Sequence, residues 1–331
     1  MKSIQARYEQ RSPKPQDVIQ AVEVDIANPG HGEVLIEVLA SPINPSDLLT
    51  LTGMYGILPD LPATAGNEGV GRIAALGQGV DQLRVGQTVM LPLGCGTWAS
   101  HLVTQAADLV PLPEGADPQQ LAMLAINPPT ASLLLSEIVD LQPGDWVIQN
   151  AANSAVGTYL LALAAERGIR TVNVVRREGA VAAVKSAGAE IVLVDGDDLA
   201  QRTQEATGGE PIRLGIDAVG GAATERLATS LSDGATIVNY GVMSGQPCQV
   251  SPTHLIFRGL KLTGFWLANW YEQASGAQRA SLYGDLTRRI TSGSLRAPVA
   301  ETFDVRDVTQ AVAAAARGER NGKVLITPQH G

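Results

Sequence analysis

The chain has 331 residues, 45% hydrophobic and 17% charged, as expected of a soluble α/β protein with room for two domains. The formal net charge of −9 argues against a general nucleic-acid or membrane surface, so neither is an expected partner. The only cysteines, Cys95 and Cys248, cannot build a disulfide framework or a four-cysteine zinc loop, and we expect buried reduced thiols.

The N-terminus runs directly into strand-like sequence, with no signal or transit segment ahead of it. No apolar run approaches the ~20 residues that span a bilayer. We therefore expect a cytoplasmic protein, or a chain numbered from a processed start.

The first third of the chain is β-rich, because apolar and β-branched runs are punctuated there by glycine and proline. These runs predict a small barrel-like domain. The predicted strands cover residues 18–24, 33–40, 69–77, 88–92, 99–104 and 109–112.

From about residue 117 to about residue 256 helices and strands alternate, which predicts a parallel sheet. Two helices are predicted at the start of this part. The first covers residues 118–125, and the second follows Asn127-Pro-Pro-Thr130 and continues through residue 139. The tail is predicted to form a helix at 278–291, a strand at 299–303, a helix at 308–316 and a strand at 323–327. This order fits an α/β fold in which a nucleotide domain, residues 119–263, is inserted into a β-rich domain, residues 1–118 and 264–331.

Residues 145–177 predict a nucleotide-binding unit with a strand at 145–150, a turn at 151–157, a helix at 158–167 and a strand at 170–175. A helix that begins directly after a tight turn points unpaired N–H groups at a pyrophosphate. Only the last glycine of a G-x-G-x-x-G pattern is present, so an ordinary βαβ crossover without a ligand stays an alternative. The candidate pyrophosphate contacts are Asn153, Ser154, Ala155, Val156 and Gly157.

The strand at residues 170–175 ends in Arg176 and Arg177. Arg176 follows Gly157 by 19 residues, close to the ~20 expected for the position that contacts the adenine ribose. An acid there would accept from a 2′-OH, whereas arginines offer forked cationic donors to a 2′-phosphate. The sequence therefore predicts NADPH. Two later predicted strands, residues 214–219 and 235–240, end in small residues, and Tyr240 at the end of the second and Gly241 after it are further cofactor candidates.

Five segments carry a resemblance to a known family. They are Ile-Asn-Pro-Ser-Asp-Leu at 43–48, Gly-Met-Tyr-Gly-Ile-Leu-Pro at 53–59, Gly-Asn-Glu-Gly at 66–69, Val-Ile-Gln-Asn-Ala-Ala-Asn-Ser-Ala-Val-Gly at 147–157 and Gly-Phe-Trp-Leu at 264–267. The chain resembles, almost end to end, the zinc-independent medium-chain dehydrogenase/reductases, which include quinone oxidoreductases and mitochondrial-type trans-2-enoyl-CoA/ACP reductases. The resemblance implies a GroES-like β-rich catalytic domain with an inserted Rossmann doubly wound parallel-sheet domain. It also implies a homodimer joined through the nucleotide domain.

The resemblance also bears on zinc. Zinc-dependent relatives carry a cysteine and a histidine where this chain has Asn44 and Asn67. Amides are poor zinc ligands compared with thiolate and imidazole, so we expect no metal.

Reduction of a 2-enoyl thioester needs a hydrogen-bond donor at the carbonyl and a proton source. The resemblance places the functional tyrosine of the family at Tyr55, although a loop tyrosine can simply pack its ring. Asn44 and Thr130 are expected at the nicotinamide, or else cap helices. Trp266 is expected to wall the substrate channel, or else to be a core or dimer-edge aromatic. Lys323 resembles a lysine near the cofactor, or else is a solvated strand-edge lysine.

Three functional hypotheses remain. The favoured one is an NADPH-dependent reductase of the C=C bond of an enoyl thioester on CoA or acyl-carrier protein. The second replaces that acceptor with a quinone or a small enone or acrylate. The third, a non-catalytic NADPH-binding sensor, is disfavoured by the intact Tyr55 and cofactor turn. Residues 260–267 could supply a pairing edge between subunits, or be buried within one.

Overall fold

The computed structural model describes residues 1–318 and 320–330. Its strands are β1 (Lys2–Tyr8), β2 (Gln20–Asp25), β3 (Glu33–Pro42), β4 (Ala63–Thr64), β5 (Val70–Leu76), β6 (Thr88–Met90), β7 (His101–Gln105), β8 (Val110–Pro111), β9 (Trp146–Gln149), β10 (Arg170–Val175), β11 (Ile191–Val194), β12 (Ile212–Asp217), β13 (Thr236–Asn239), β14 (Lys261–Gly264), β15 (Val299–Phe303) and β16 (Lys323–Ile326).

The helices are α1 (Pro45–Thr52), α2 (Pro118–Leu121), α3 (Asn127–Ser136), α4 (Ala155–Glu166), α5 (Val181–Ser186), α6 (Leu199–Thr207), α7 (Ala222–Ser230), α8 (Pro252–Ile256), α9 (Leu267–Gln273), α10 (Gly276–Ser292) and α11 (Val308–Ala316).

The chain divides into two compact units. Unit 1 comprises Met1–Ile126, Tyr283–Gly293 and Ala297–Gly331, and unit 2 comprises Asn127–Leu282 and Ser294–Arg296. The sequence predicted functional domains with different bounds, residues 1–118 with 264–331 and residues 119–263. The two compact units do not test those bounds, which stay a prediction.

Unit 1 contains two sheets. One has the order β2-β1-β4, and the larger has the order β15-β16-β3-β5-β6-β8 with β7 also paired to β3. All pairs are antiparallel except β15 with β16. Helix α11 packs its apolar face, including Val308 and Val312, into a core with Trp98, Val324 and Ile326. The strand β16, which begins at Lys323, therefore lies inside a sheet and under a helix.

Unit 2 contains one six-stranded sheet in the order β11-β10-β9-β12-β13-β14, parallel throughout. The chain winds outward from β9 in both directions, which is the doubly wound order. Separate apolar clusters form around this sheet, one with Trp146, Ile148 and Leu227 and another with Leu161 and Val184. The predicted inserted Rossmann domain is confirmed.

Helix α3 begins earlier than predicted, at Asn127, so that Pro128 and Pro129 lie in its first turn. Proline is tolerated there because the first N–H groups of a helix have no intrahelical partner. Among the described residues, no helix is long and apolar enough to cross a membrane.

Candidate functional site

In unit 2 the predicted pyrophosphate turn joins β9 to α4. Ser154 is the N-cap residue of α4, and its Oγ accepts from the Gly157 N–H at 3.1 Å. A cap of this kind leaves the neighbouring first-turn N–H groups pointing away from the helix, as an anion site requires. Ala155 and Val156 are the first two residues of the helix. The helix begins at Ala155, three residues before the predicted start at residue 158.

Gly157 is required by a close approach of backbone to backbone. A Cβ at this position would lie 2.6 Å from the Ala152 carbonyl oxygen. The last glycine of the predicted pattern thus lets the turn fold against the first turn of α4. Gly241, after β13, is constrained in the same way, since its Cβ would lie 2.6 Å from the Ala218 oxygen.

The turn itself contains a strained residue. Ala151 has φ of +48°, in the left-handed region that a residue with a Cβ rarely adopts. Its carbonyl accepts from the Ser154 N–H at 2.8 Å, and the Ala152 N–H donates to the Val174 carbonyl of β10 at 3.1 Å. An alanine thus adopts the conformation that a glycine would usually provide, and these two backbone hydrogen bonds hold the bend.

A buried pair of amide side chains, on β9 and β10, is hydrogen-bonded to this turn. Gln149 Nε2 donates to the Gly157 carbonyl at 3.1 Å and to Asn173 Oδ1 at 2.7 Å. Both side chains are buried, in β9 and β10. A glutamine is therefore suited to the position before the turn, because its amide joins the turn to β10. The sequence pattern alone gave no reason for a glutamine there.

Asp217, at the end of β12, is the centre of a polar network that the sequence analysis missed. It is fully buried, and its Oδ1 accepts from Asn150 Nδ2 at 2.6 Å and from the Val219 and Gly220 N–H groups. Its Oδ2 accepts from Thr224 Oγ1 at 2.6 Å. The network joins the carboxyl ends of β9 and β12, where the strand order reverses and ligands bind in such sheets. An acid at the end of an apolar strand, three residues before Gly220, was the available signal.

The other predicted residues of unit 2 lie on separate elements. Arg176 and Arg177 directly follow β10, one exposed and one half-buried. Tyr240 follows β13; burial raises the pKa of its phenol, and an interaction with the Ser154 side chain opposes that shift. Thr130 is buried in α3, and Trp266 precedes α9 as its N-cap residue, half-buried.

In unit 1 Asn44 lies between two ionisable side chains. Lys323 Nζ donates to its Oδ1 at 2.5 Å, and its Nδ2 donates to Glu68 Oε1 at 2.7 Å. All three side chains are buried. The amide orientation is fixed, because an ammonium can only donate and an ionised carboxylate can only accept.

Asp47 adds a second carboxyl group to this buried cluster. Its two oxygens accept from the Asn44 N–H at 2.7 Å and the Asn67 N–H at 3.0 Å, which ties α1 to the turn before β5. Asn44 is indeed the N-cap residue of α1. The interpretation of Lys323 as a solvated strand-edge lysine is wrong, because β16 lies between β15 and β3 and the side chain is only 6% exposed.

Burial sets the titration of this cluster, which we call the Asn44 cluster (Asn44, Asp47, Glu68 and Lys323). Desolvation raises the pKa of Asp47 to about 7, opposed by the two backbone N–H donors. Desolvation also raises the pKa of Glu68 and lowers that of Lys323, in each case against the attraction between their opposite charges. Neutral and charged forms are therefore closely balanced near neutral pH.

A zinc ion does not fit these residues. The amide oxygen of Asn44 already accepts from an ammonium group, and a dication beside Lys323 would be repelled. Within the described chain, no group of three or more His, Cys, Asp or Glu side chains could hold a metal ion.

Tyr55 is the second residue of the loop of residues 54–60 that follows α1. Gly53 ends the helix with φ of +80°, and the Met54 and Tyr55 N–H groups donate to the Leu49 carbonyl at 2.8 and 3.2 Å. This turn fixes the backbone of Tyr55 directly against the helix end. The Tyr55 side chain is half-buried.

Comparison with known proteins covers both parts of the chain. Residues 30–114 match the alcohol dehydrogenase GroES-like domain, and residues 155–281 match the zinc-binding dehydrogenase domain. The mitochondrial enoyl-[acyl-carrier-protein] reductase of Rattus norvegicus is 36% identical over 319 residues, covering 95% of this chain and 86% of the rat protein.

Two solved structures share the fold over 99% of this chain and 100% of their own, each with a TM-score of 0.89. One is a Bacillus thuringiensis protein described as an NADPH:quinone reductase, 29% identical. The other is Etr1p, a mitochondrial 2-enoyl thioester reductase of Candida tropicalis, in complex with NADP and crotonyl-CoA, 27% identical.

Proposed function

Because the chain belongs to the zinc-independent medium-chain dehydrogenase/reductases, we propose that it reduces the C=C bond of a trans-2-enoyl thioester with NADPH. The thioester would be carried by CoA or by acyl-carrier protein. The observation that carries this proposal is Tyr55, a phenol on a loop whose backbone is hydrogen-bonded to the end of α1. The capped turn before α4 and the arginines after β10 support NADPH as the cofactor.

The chemistry assigns a role to each group. NADPH, when bound, supplies a hydride to the β-carbon of the substrate. The electron pair of the C=C bond moves toward the carbonyl, negative charge develops on the thioester oxygen, and a proton then reaches the α-carbon. Tyr55 donates a hydrogen bond to that oxygen, directly or through a cofactor hydroxyl or a water that helps to deliver the proton.

Other residues complete the proposed site. Asn44 is held in one orientation by Glu68 and Lys323 and would act on the substrate side. Trp266 would contact the substrate. Ser154, Tyr240, Gly241 and the rest of the capped turn would contact the cofactor together with Thr130 and Lys323. The cofactor contacts proposed in the turn are Asn153, Ser154, Ala155, Val156 and Gly157, with Arg176 and Arg177 at the 2′-phosphate.

Replacement of Tyr55 by Phe tests the function. Tyr55→Phe keeps the ring, so kcat on crotonyl-CoA should fall roughly 10²–10³-fold while NADPH affinity stays unchanged. Tyr8→Phe is the matched control, because the buried Tyr8 hydroxyl has no hydrogen-bond partner among the described residues. Activity of Tyr55→Phe within about twofold of wild type on crotonyl-CoA and on a long 2-enoyl-CoA would contradict the assignment.

A second candidate function is NADPH-dependent reduction of a quinone or a small enone. The observation in its favour is the likeness to the Bacillus thuringiensis protein. Steady-state assays of crotonyl-CoA, a long 2-enoyl-CoA and a soluble quinone, all with NADPH, separate the two. A kcat/KM for the quinone above that for both thioesters would favour the second function, and no turnover of any acceptor would favour the NADPH-binding sensor.

We also propose a homodimer joined through unit 2. The strand β14 is the exposed edge of the parallel sheet, and exposed apolar residues accompany it in sequence: Ile256 is 70% and Phe257 is 79% exposed. An unpaired edge with apolar neighbours is a surface that a second copy can cover. Within the stretch of residues 260–267, residues 261–264 are exposed, whereas Leu260 and Leu267 are buried.

A cytoplasmic location stays a proposal. It is supported by Cys95 and Cys248, which are both free thiols, as expected in a reducing compartment. Burial raises the pKa of the Cys95 thiol to about 12, so this thiol is unreactive near neutral pH. The rat relative is described as mitochondrial, which is the alternative location.

A further inference from the structure

The loop that carries Tyr55 has little apolar burial of its own. After Gly53 the chain runs through Met54, Ile57 and Leu58, which are 67%, 56% and 40% exposed. Segments with few buried contacts are held mainly by backbone hydrogen bonds and by side chains that reach them from outside. The anchoring of both ends of this loop therefore contributes to the position of the Tyr55 hydroxyl.

Arg11 contacts both ends of the loop. Its Nη2 donates to the Pro59 carbonyl at 2.5 Å, at the far end. Its aliphatic stem lies over Gly53 at the near end, where a Cβ would meet Arg11 Cδ at 3.1 Å. The next residue, Ser12, donates its N–H to the Leu51 carbonyl of α1 at 3.1 Å. The segment at residues 11–12 thus joins the helix end and the loop.

The local cost of this arrangement is visible at Arg11 Nε, which is buried and has no hydrogen-bond partner among the described residues. A buried donor without a partner costs stability. Such a departure is expected where a side chain is held for function. The planar guanidinium can still reach Pro59 while its stem covers Gly53, a combination that a flexible ammonium group provides less well.

We propose that Arg11 is a positioning residue that sets the Tyr55 hydroxyl for its hydrogen bond to the thioester oxygen. The inference rests on the proposed function of Tyr55. Arg11 itself acts on the loop and has no contact with the reacting atoms in this role. Removing the guanidinium releases Pro59, widens the range of loop positions and lowers kcat, since small misplacements of a catalytic group carry large rate costs.

The test is a double-mutant cycle with Arg11→Met and Tyr55→Phe on crotonyl-CoA. Arg11→Met keeps an apolar stem over Gly53 and removes the donor to Pro59. Its kcat should fall roughly 10-fold or more, with KM for NADPH unchanged. In the Tyr55→Phe background the same change should cost less than about twofold, because the group it positions is already missing. Arg11→Lys should recover part of the loss.

The control is Arg84→Met, which removes an exposed arginine of unit 1 whose partner is Glu114. It should leave kcat unchanged. Thermal unfolding of each variant shows whether it is folded; if Arg11→Met is not, Arg11→Lys takes its place in the cycle, with a smaller loss expected.

Equal losses from Arg11→Met in both backgrounds would overturn the inference, since the effect would then be independent of the tyrosine. If Arg11→Met keeps the wild-type kcat while Tyr55→Phe loses activity, the inference about Arg11 is overturned and the proposed function is not affected. A wild-type kcat in Tyr55→Phe would contradict both the proposed role of Tyr55 and the inference about Arg11.

Discussion

We propose that Arg176 and Arg177 set the choice between NADPH and NADH, two cofactors that differ by one phosphate group. They follow β10 at the position next to the adenine ribose in folds of this kind. Charged hydrogen bonds contribute about 1.5–3 kcal/mol each, which corresponds to roughly 10- to 100-fold in affinity. We expect the double variant Arg176→Ala, Arg177→Ala to lose at least that factor in kcat/KM for NADPH and little for NADH.

The matched control for this pair is Arg288→Ala with Arg289→Ala, adjacent arginines on α10 that pair with Asp285. This control should leave the NADPH-to-NADH ratio unchanged. Equal kcat/KM values for the two cofactors in the wild-type protein would contradict the assignment of the pair.

Asp47 should give the protein an unusual pH dependence of stability. The pKa of its carboxyl rises from 3.8 to about 7 on folding, so between these values the folded protein holds a proton that the unfolded chain has released. Stability therefore falls as pH rises through this window, by at most about 1.4 kcal/mol per pH unit for one proton. Glu68 acts in the same direction, and Lys323 acts oppositely at higher pH.

Urea unfolding at several pH values between about 4.5 and 7 measures this slope. Asp47→Asn removes the titrating group and should flatten the decline, although it also costs a hydrogen bond to Asn44 or Asn67. Asp81→Asn, at an exposed position of unit 1, is the control and should keep the wild-type slope. An identical slope in Asp47→Asn would show that Asp47 does not titrate in this window.

The sequence singled out candidate site residues but did not predict the contacts that surround them. Asn44 and Lys323 were singled out by resemblance, but their hydrogen bond joins positions 279 residues apart in the chain. Burial of a lysine depends on partners from other elements, and no local pattern around residue 323 contains that information. The same limit applies to Asp217, whose donors come from Asn150 just after β9, from Thr224 in α7 and from its own turn.

At the scale of elements, regular periodicity was a sound guide. The strand Val299–Phe303 and the helix Val308–Ala316 have the predicted bounds, because alternation and 3.6-residue spacing are local properties. The observed ends of elements differ from the predicted ones where a capping residue determines where a helix begins. Helix α4 begins at Ala155 because Ser154 caps it, a feature visible in the sequence but not used in placing the start at residue 158.

The edge strand β14 supports a prediction about assembly. Leu262 lies in this strand and is 41% exposed. If a second copy pairs here, Leu262→Asp places a charge in the interface and should halve the mass measured by light scattering after size exclusion. Leu93→Asp is the matched control, because Leu93 is 42% exposed in unit 1. A monomeric wild-type protein, or a Leu262→Asp dimer, would contradict the proposed interface.

At the scale of the whole molecule, activity should not depend on a metal ion. Asn44 and Asn67 place amides where zinc would need thiolate and imidazole, and the Asn44 oxygen already accepts from the Lys323 ammonium. Prolonged EDTA treatment should leave kcat unchanged, and elemental analysis should find no stoichiometric zinc. One zinc per chain retained through purification would contradict this expectation.

The turn proposed to contact the pyrophosphate has alanine at residues 151, 152 and 155, so it has fewer conformations to lose than a turn made of glycines. Each replacement of glycine by alanine removes roughly 0.4–1 kcal/mol of backbone freedom from the unfolded or unliganded chain where the geometry allows it. At Ala151 the positive φ offsets this gain, and the hydrogen bonds of Ala151 and Ala152 hold the bend. The turn is thus ordered before its ligand arrives. Cofactor binding should then carry a small entropic penalty, and differences in affinity among turn variants should appear mainly as differences in dissociation rate.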